Sequence, residues 1–428
     1  MKAGLIVLCA VVASDAEQQT FRTRHGATVA HAPVSPGVHA GAVARGDLEQ
    51  LTQPAAARTW VKQTLDATAQ KACLKDIHMS SLMATDVYVV GEGGIVLKAN
   101  VSQGNVGVEQ FKTILDAKFP NYYYGVTSNT DGGVMVTGFV DGVGPSGPIS
   151  NGVARTSYDG GATWNDPMVV DDKTWIGGPI RCTNASHCVF PGVSSPKMYV
   201  TENGILSIVD DFKTVVPDAA KAGWFAGPFE AHGPTVGKPN LASSVVATGI
   251  GLCNSSLADL STWNCTHSVD DTFDGGIALL ASSAKTGPIT YAAGLVGGGE
   301  ISAPMSGWTH QTQDESLGKW TKRTLSAPFP IRWVGFFAGV AFAAGGDYNT
   351  GVGGIYSSGD MGKTWGPLEI DTGVEMSACS GTARDFGHDG KAQGGSSGGS
   401  MIVTCVGSAR GKASVIVSTI LEIGKYQL

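Results

Sequence analysis

Charge is scarce in this sequence. Only 15% of its 428 residues are Asp, Glu, Lys or Arg, against a norm of roughly 25%, which excludes coiled coils, long salt-bridged helices and acidic disorder. Positive charge is the scarcer sign: 29 Lys and Arg face 36 Asp and Glu, for a net charge of -7. With no basic surplus to neutralise phosphates, no nucleic-acid partner is expected. Beyond the N-terminus no apolar run approaches the roughly 20 residues that a membrane-spanning helix needs, so no membrane span is expected. Metal-ligand spacing is lacking too. His78, His187, His232, His267, His310 and His388 are scattered, and neither metal nor cofactor is expected. The Gly-rich stretches Gly91-Glu-Gly93-Gly94 and Gly297-Gly-Gly299 precede no helical pattern, which makes them β-turns rather than phosphate loops.

Glycine is what the chain has in excess, with 60 of 428 residues, about twice its usual share. The N-terminus has the layout of a secretory signal peptide: Lys2, the apolar stretch Ala3 to Ala13, then small and polar residues around Ala13-Ser14-Asp15-Ala16. Cleavage after Ala13 or Ala16 is expected, with residues 1–16 as the signal. Sequons at Asn100, Asn184, Asn254 and Asn264 agree with a secreted, extracellular glycoprotein. Residues 17–58 hold one aromatic, Phe21, with Pro33, Pro36 and Pro54; they read as a disordered lead or pro-segment.

Of eight cysteines, Cys9 leaves with the signal. Sequential hairpins bring near neighbours together, which favours disulfides Cys182–Cys188, Cys253–Cys265 and Cys379–Cys405. Cys73 is left over, as a buried thiol or an intermolecular partner.

A repeat runs through residues 59–428. Ser157-Tyr-Asp159-Gly-Gly161-Ala-Thr163-Trp164 recurs as Ser358-Gly-Asp360-Met-Gly362-Lys-Thr364-Trp365; both fit Ser-x-Asp-x-Gly-x-Thr-Trp. Physically this is a hairpin turn: the carboxylate accepts backbone N–H groups, Gly takes a positive φ, and Thr-Trp starts an outer strand. Asp159 and Asp360 are therefore structural. Degenerate anchors stand at Trp60, Phe111, Phe212, Trp263 and Trp320. With Trp164 and Trp365 they give a period of about fifty residues, the length of a four-stranded propeller blade. Between anchors lie short strands such as Leu74 to Met79 and Val134 to Phe139. The expected fold is all-β, a seven-bladed β-propeller closed by an N-terminal strand from Thr59 to Leu65 that completes the last blade. Six or eight blades remain open, because residues 217–260 and 270–320 are poorly marked.

The Ser-x-Asp-x-Gly-x-Thr-Trp turn resembles the Asp-box, or bacterial neuraminidase (BNR) repeat, of sialidases, sortilin ectodomains and xyloglucan-active endoglucanases. In rhythm the chain is most similar to the photosystem II stability and assembly factor family: Leu74-Lys-Asp-Ile-His followed by Val87-Tyr-Val-Val-Gly-Glu-Gly-Gly-Ile-Val-Leu-Lys has that family's order of strands. The resemblance implies a propeller over residues 59–428. A photosynthetic role is not expected, since the N-terminus has no plastid transit layout. A sialidase would add a Phe/Tyr-Arg-Ile-Pro motif, and Phe329-Pro-Ile-Arg332 has those letters in another order. Of the arginines, Arg181, Arg332 and Arg384 are expected nearest the axis, and Arg155 and Arg323 at the periphery.

The expected function is a secreted recognition module that binds an extracellular glycan or protein through its loop-rich face, as a monomer. Candidate ligand-binding residues are Glu92, Asp172, Trp175, Trp224, Asp274, Arg332, Asp347, Tyr348, Arg384 and Asp385, on loops opposite the Asp-box face. The alternative is a carbohydrate-active hydrolase or lyase using acidic loop residues near the axis, which needs two carboxylates about 5 to 10 Å apart. No spacing in the sequence selects such a pair, and no catalytic residue is assigned.

Overall fold

The computed structural model describes residues 58–79, 86–101, 110–118, 121–128, 132–144, 147–171, 180–184, 187–191, 198–202, 205–209, 229–232, 244–247, 252–256, 259–266, 277–283, 289–300, 304–312, 319–337, 340–384 and 399–423. The expected signal and lead up to residue 57, and the stretch holding Phe212, lie outside them.

The described residues form seven four-stranded antiparallel sheets. The first contains strands Leu74–Met79, Asp86–Gly91, Ile95–Asn100 and Lys112–Asp116. The second contains Asn121–Ser128, Val134–Gly144, Gly147–Ser157 and Met168–Asp171. Arg181–Asn184, His187–Pro191, Met198–Glu202 and Ile205–Val209 make the third. Phe229–His232, Ser244–Ala247, Leu252–Ser256 and Asp259–Thr266 make the fourth, across a stretch with no clear sequence marking. The fifth has Ile277–Ser283, Ile289–Glu300, Ser306–Thr312 and Thr321–Ala327. Ile331–Phe337, Val340–Asp347, Val352–Ser358 and Ile370–Asp371 build the sixth. In the seventh, Glu375–Arg384, Gly399–Ser408 and Val415–Ile423 are joined on the outside by Val61–Lys62.

First strands of neighbouring sheets touch: first with second, third with fourth, fourth with fifth, fifth with sixth, sixth with seventh, and seventh with first. Sheets in sequence order that share an inner edge in this way make an all-β propeller fold. The cores lie between sheets. Tyr88, Val90 and Val96 of the first sheet pack on Tyr123, Val126 and Val136 of the second, and Ile77, Val89 and Leu97 cluster with Ala378, Ile402 and Ile416 of the seventh. These apolar runs are buried on both faces, so they read as continuous Val/Ile/Leu rather than as an alternation.

The two Ser-Asp turns are alike in every bond of the carboxylate to Ser and Thr. Asp159 Oδ1 accepts from Thr163 N at 2.8 Å and from Ser157 Oγ at 2.8 Å, and Oδ2 accepts from Thr163 Oγ1 at 2.5 Å. In the second turn Asp360 Oδ1 accepts from Thr364 N at 2.8 Å and from Ser358 Oγ at 2.7 Å, with Oδ2 accepting from Thr364 Oγ1 at 2.6 Å. Gly161 and Gly362 have φ of 88° and 83°, the left-handed region where a Cβ is unfavourable. Trp164 and Trp365 are equivalent, but neither starts the outer strand: those strands begin at Met168 and Ile370. Instead the indoles dock each turn on the preceding sheet. Trp164 packs against the first-sheet and second-sheet cluster, and Trp365 Nε1 donates to Thr309 Oγ1 of the fifth sheet at 3.1 Å.

Three expectations need correction. The N-terminal strand spans only Val61–Lys62, paired with Ser418 and Val417. Asp66 ends it by capping an unforeseen helix, Ala67–Lys71, through a 2.8 Å bond from Ala69 N. In the third sheet the outer strand is Ile205–Val209, so the Phe212 anchor follows that strand instead of leading it. Trp263 falls inside the outer strand Asp259–Thr266 rather than at its start.

Cys379 and Cys405 are register partners joined by a buried disulfide between the two inner strands of the seventh sheet. Cys182 faces Cys188, and Cys253 faces Cys265, as register partners in the third and fourth sheets. Cys73 is a half-buried thiol. Among the described residues no helix is long and apolar enough to cross a membrane.

Candidate functional site

Strand direction sets the two ends of the molecule. The Ser-Asp turns join third to fourth strands, whereas turns from second to third strands and the starts of first strands lie at the opposite end. That opposite end gathers a polar cluster from four sheets.

Its first half is built on Glu92, in the turn between the second and third strands of the first sheet. Gly93 and Gly94, with φ of 76° and 68°, let that turn close, and Glu92 N donates to Cys73 O at 3.0 Å. The Glu92 carboxylate is only 7% exposed, a costly position for a charge without compensation. Lys75 Nζ lies 3.1 Å from Glu92 Oε1, and Tyr124 OH donates to the same oxygen at 3.1 Å. The Lys75 ammonium also sits 5.4 Å from the ring centre of Tyr124 and 6.0 Å from that of Tyr348, within cation–π range. Tyr122 and Tyr124 flank Phe139, with ring centres 4.6 and 5.6 Å from it. Burial, then the nearby charges of Asp141 and Glu92, pushes the Tyr122 phenol up to about 12. Burial raises Tyr124 further, against the opposing pull of Lys75. Both phenols therefore stay protonated as hydrogen-bond donors.

The second half comes from the sixth and seventh sheets. Arg332 Nε lies 3.4 Å from Glu375 Oε2, which also accepts from Tyr348 N at 3.2 Å. Tyr348 O in turn accepts from Arg410 N at 2.9 Å, which fixes the Tyr348 turn against the seventh sheet. Asp347 is spent on that turn: it accepts from Asn349 N, Thr350 N and Thr350 Oγ1 at 3.2, 3.1 and 2.7 Å. Burial opposes its ionisation, but those bonds and the Arg332 charge outweigh it and hold its carboxyl below the usual range.

Of the sequence candidates, Glu92, Arg332, Asp347 and Tyr348 are brought to one face. Arg384 ends the innermost strand of the seventh sheet, and Asp172, Trp175, Trp224, Asp274 and Asp385 lie outside the described residues. Lys75, Tyr124 and Glu375 were missed. Each looks like an ordinary strand residue in sequence; Tyr124 and Glu375 meet their partners across sheets, and Lys75 meets Glu92 from another strand of its own sheet, so no local signal marks them. Among the described residues no group of three or more His, Cys, Asp or Glu is placed to hold a metal.

Chemically, the face offers two phenols, a buried carboxylate salt-bridged to an ammonium, a guanidinium and an aromatic ring. That set can both donate hydrogen bonds to hydroxyl groups and accept them. Among the described residues, the carboxylates of Glu92, Asp347 and Glu375 on this face are each engaged by protein donors.

No family model matches the chain, and no curated protein is similar to it. Among solved structures it is similar to YCF48 from Cyanidioschyzon merolae, at 17% identity and TM-score 0.48, over 84% of this chain and 98% of that one. A chain of a nidogen/laminin complex is similar at 9% identity and TM-score 0.39, over 67% of this chain and 91% of that one. A Dyadobacter fermentans protein of unknown function is similar at 10% identity and TM-score 0.42, over 85% of this chain and 98% of that one.

Proposed function

We propose that the chain is a secreted, glycosylated seven-bladed propeller, closed by its N-terminal strand, that binds an extracellular glycan or protein through the face opposite its Ser-Asp turns. On this reading the two turns are Asp-boxes, residues 1–16 are the signal, Asn100, Asn184, Asn254 and Asn264 accept glycans, and Cys182–Cys188 and Cys253–Cys265 are disulfides beside Cys379–Cys405. The observation that carries the proposal is the convergence of Lys75, Glu92, Tyr124, Arg332, Tyr348 and Glu375, from four sheets, at one end of the inner strands. Loops on a rigid scaffold are where binding residues concentrate, and aromatic and Arg side chains are the usual anchors of such contacts.

A second reading, a carbohydrate-active hydrolase or lyase, draws on one observation: Glu92 and Asp141 both bear electrostatically on Tyr122. A glycan array run beside a turnover screen on common polysaccharides separates the two. Recognition predicts retained ligand without product, and loss of binding in Tyr348→Ala. Product formation that disappears in Glu92→Gln would make the hydrolase reading correct instead.

A further inference from the structure

Far from that face, the seam between the fifth sheet and the second Ser-Asp turn holds hydrogen-bond donors that the protein does not satisfy. Thr309 and Arg323 are register partners, as are Leu295 and Gln311, and partners share a face. Thr309, Gln311 and Arg323 thus lie on one side of the fifth sheet, while Trp308 and Lys322 occupy the other, where Lys322 Nζ is 5.0 Å from the Trp308 ring centre. The first side is the one covered by the turn. Trp365 Nε1 bonds Thr309 Oγ1 there, and a methyl group at Gly362 would stand 2.8 Å from Leu295 Cδ1 and 3.7 Å from Gln311 Cγ. Leu295, Leu325 and Phe329, with Trp365 against them, make the surroundings apolar.

In this seam Gln311 is 3% exposed, yet among the described residues no acceptor lies within hydrogen-bond reach of its Nε2, and none within reach of the buried Nε of Arg323. A buried donor left unmatched is expensive, and Arg323, half-buried as a residue, brings its positive charge to the edge of the seam with its Nε inside it. Two such donors, one of them on a cationic side chain, at diagonal positions of one sheet face in an apolar seam, define a site by the ligand they require: an acceptor that carries negative charge and is small enough to fit between a sheet and a turn.

We propose that Gln311 and Arg323 bind a small monovalent anion, of halide or small-carboxylate size, that rivets the second Ser-Asp turn to the fifth sheet. The first turn achieves the same docking with protein groups alone: Lys98 Nζ and Tyr88 OH of the first sheet donate to Gly160 O at 3.1 and 3.3 Å. At the second turn Met361 occupies the position of Gly160, and an ion supplies the acceptor that Gln311 and Arg323 need.

Bromide is the probe. Anomalous diffraction from crystals of the full chain in sodium bromide should place a peak within hydrogen-bond distance of both Gln311 Nε2 and Arg323 Nε. Melting in sodium bromide should exceed melting in sodium gluconate at equal ionic strength, gluconate being too large for the seam. Sodium acetate should act like bromide if small carboxylates fit, and like gluconate if the site takes halides alone. Arg323→Gln should raise the half-effective bromide concentration about tenfold or more, the loss of one charge-assisted bond. Where Arg323→Gln does not fold, Gln311→Leu, which keeps the charge and removes the unmatched amide, should weaken the bromide effect in the same direction. Coincident bromide and gluconate melts, an effect unchanged in both variants, or bromide peaks confined to exposed surface, an adventitious ion only, would overturn the proposal.

Discussion

At the scale of single residues, the two Ser-Asp turns give the sharpest tests. Asp159 is held at about 2 by the Thr163 hydroxyl and N–H, with Ser157 adding to them. Asp360 is likewise lowered: partial burial opposes ionisation, but Thr364 and Ser358 prevail. A carboxyl whose folded value lies below its unfolded value of 3.8 stabilises the fold above that unfolded value. The contribution is lost as pH falls through the folded value. Stability should therefore decline between about pH 4 and pH 2, and the double variant Asp159→Asn/Asp360→Asn should show a flatter decline in chemical denaturation across that window. An identical pH slope would contradict the assignment. Asp360→Ala should cost about 1 kcal/mol, the lower range for a hydrogen-bonded group that solvent partly screens; Asp159→Ala, fully exposed, should cost less. These turns were legible in sequence because the partners of each carboxylate lie within the eight-residue motif. Met361 was not: its φ of 59° places a non-glycine residue in the left-handed region at a site where the first turn has Gly160, and burial to 4% exposure supplies the compensating packing.

At the scale of elements, the N-terminal segment does more than its two-residue strand suggests. Trp60 Nε1 donates to Glu369 Oε2 at 3.0 Å, Arg58 salt-bridges the same Glu369, and Trp60 meets the Phe342 ring edge-on at 6.3 Å. Asp66 caps the short helix and also accepts from Thr113 N and Oγ1 at 3.1 and 2.8 Å. Both bonds go to Asp66 Oδ2, 47 positions away, and tie the N-terminal segment to the outer strand of the first sheet. Sequence could place the strand but not this tie, since nothing local links residues 66 and 113. Asp66→Ala should lower stability by about 1 to 2 kcal/mol, through the lost cap and lost bonds together. A chain starting at residue 58 should melt like the full chain, because residues 17–57 hold almost no core-forming side chains, whereas one starting at residue 67 should melt well below it or aggregate from the bared edge of Val415–Ile423. Equal melting of the two would mean that the N-terminal strand closes nothing. For the disulfides, non-reducing peptide mapping should recover Cys182–Cys188 and Cys253–Cys265 beside Cys379–Cys405; a bridge between different sheets would contradict the sequential-hairpin argument.

At the scale of the whole molecule, the repeat of about fifty residues conveys the propeller because each blade is a local unit of hairpins, and local units leave periodic traces. The polar face opposite the Ser-Asp turns leaves none. Lys75 reaches Glu92 within its own sheet, but Tyr124 and Tyr348 arrive from the second and sixth sheets, so their meeting is a property of the ring and not of any stretch of chain. Contact with a ligand is expected at the Lys75 and Tyr348 end of the propeller, away from the Ser-Asp turns. Equilibrium binding on one glycan array, comparing the intact chain with Tyr348→Ala and Arg332→Ala at one end and Asp159→Ala at the other, tests this most directly. The expected result is loss of signal for the first two variants at unchanged melting temperature, with Asp159→Ala binding like the intact chain wherever it remains folded. Retained binding in Tyr348→Ala and Arg332→Ala together with loss in folded Asp159→Ala would place recognition on the Ser-Asp turns and contradict the account.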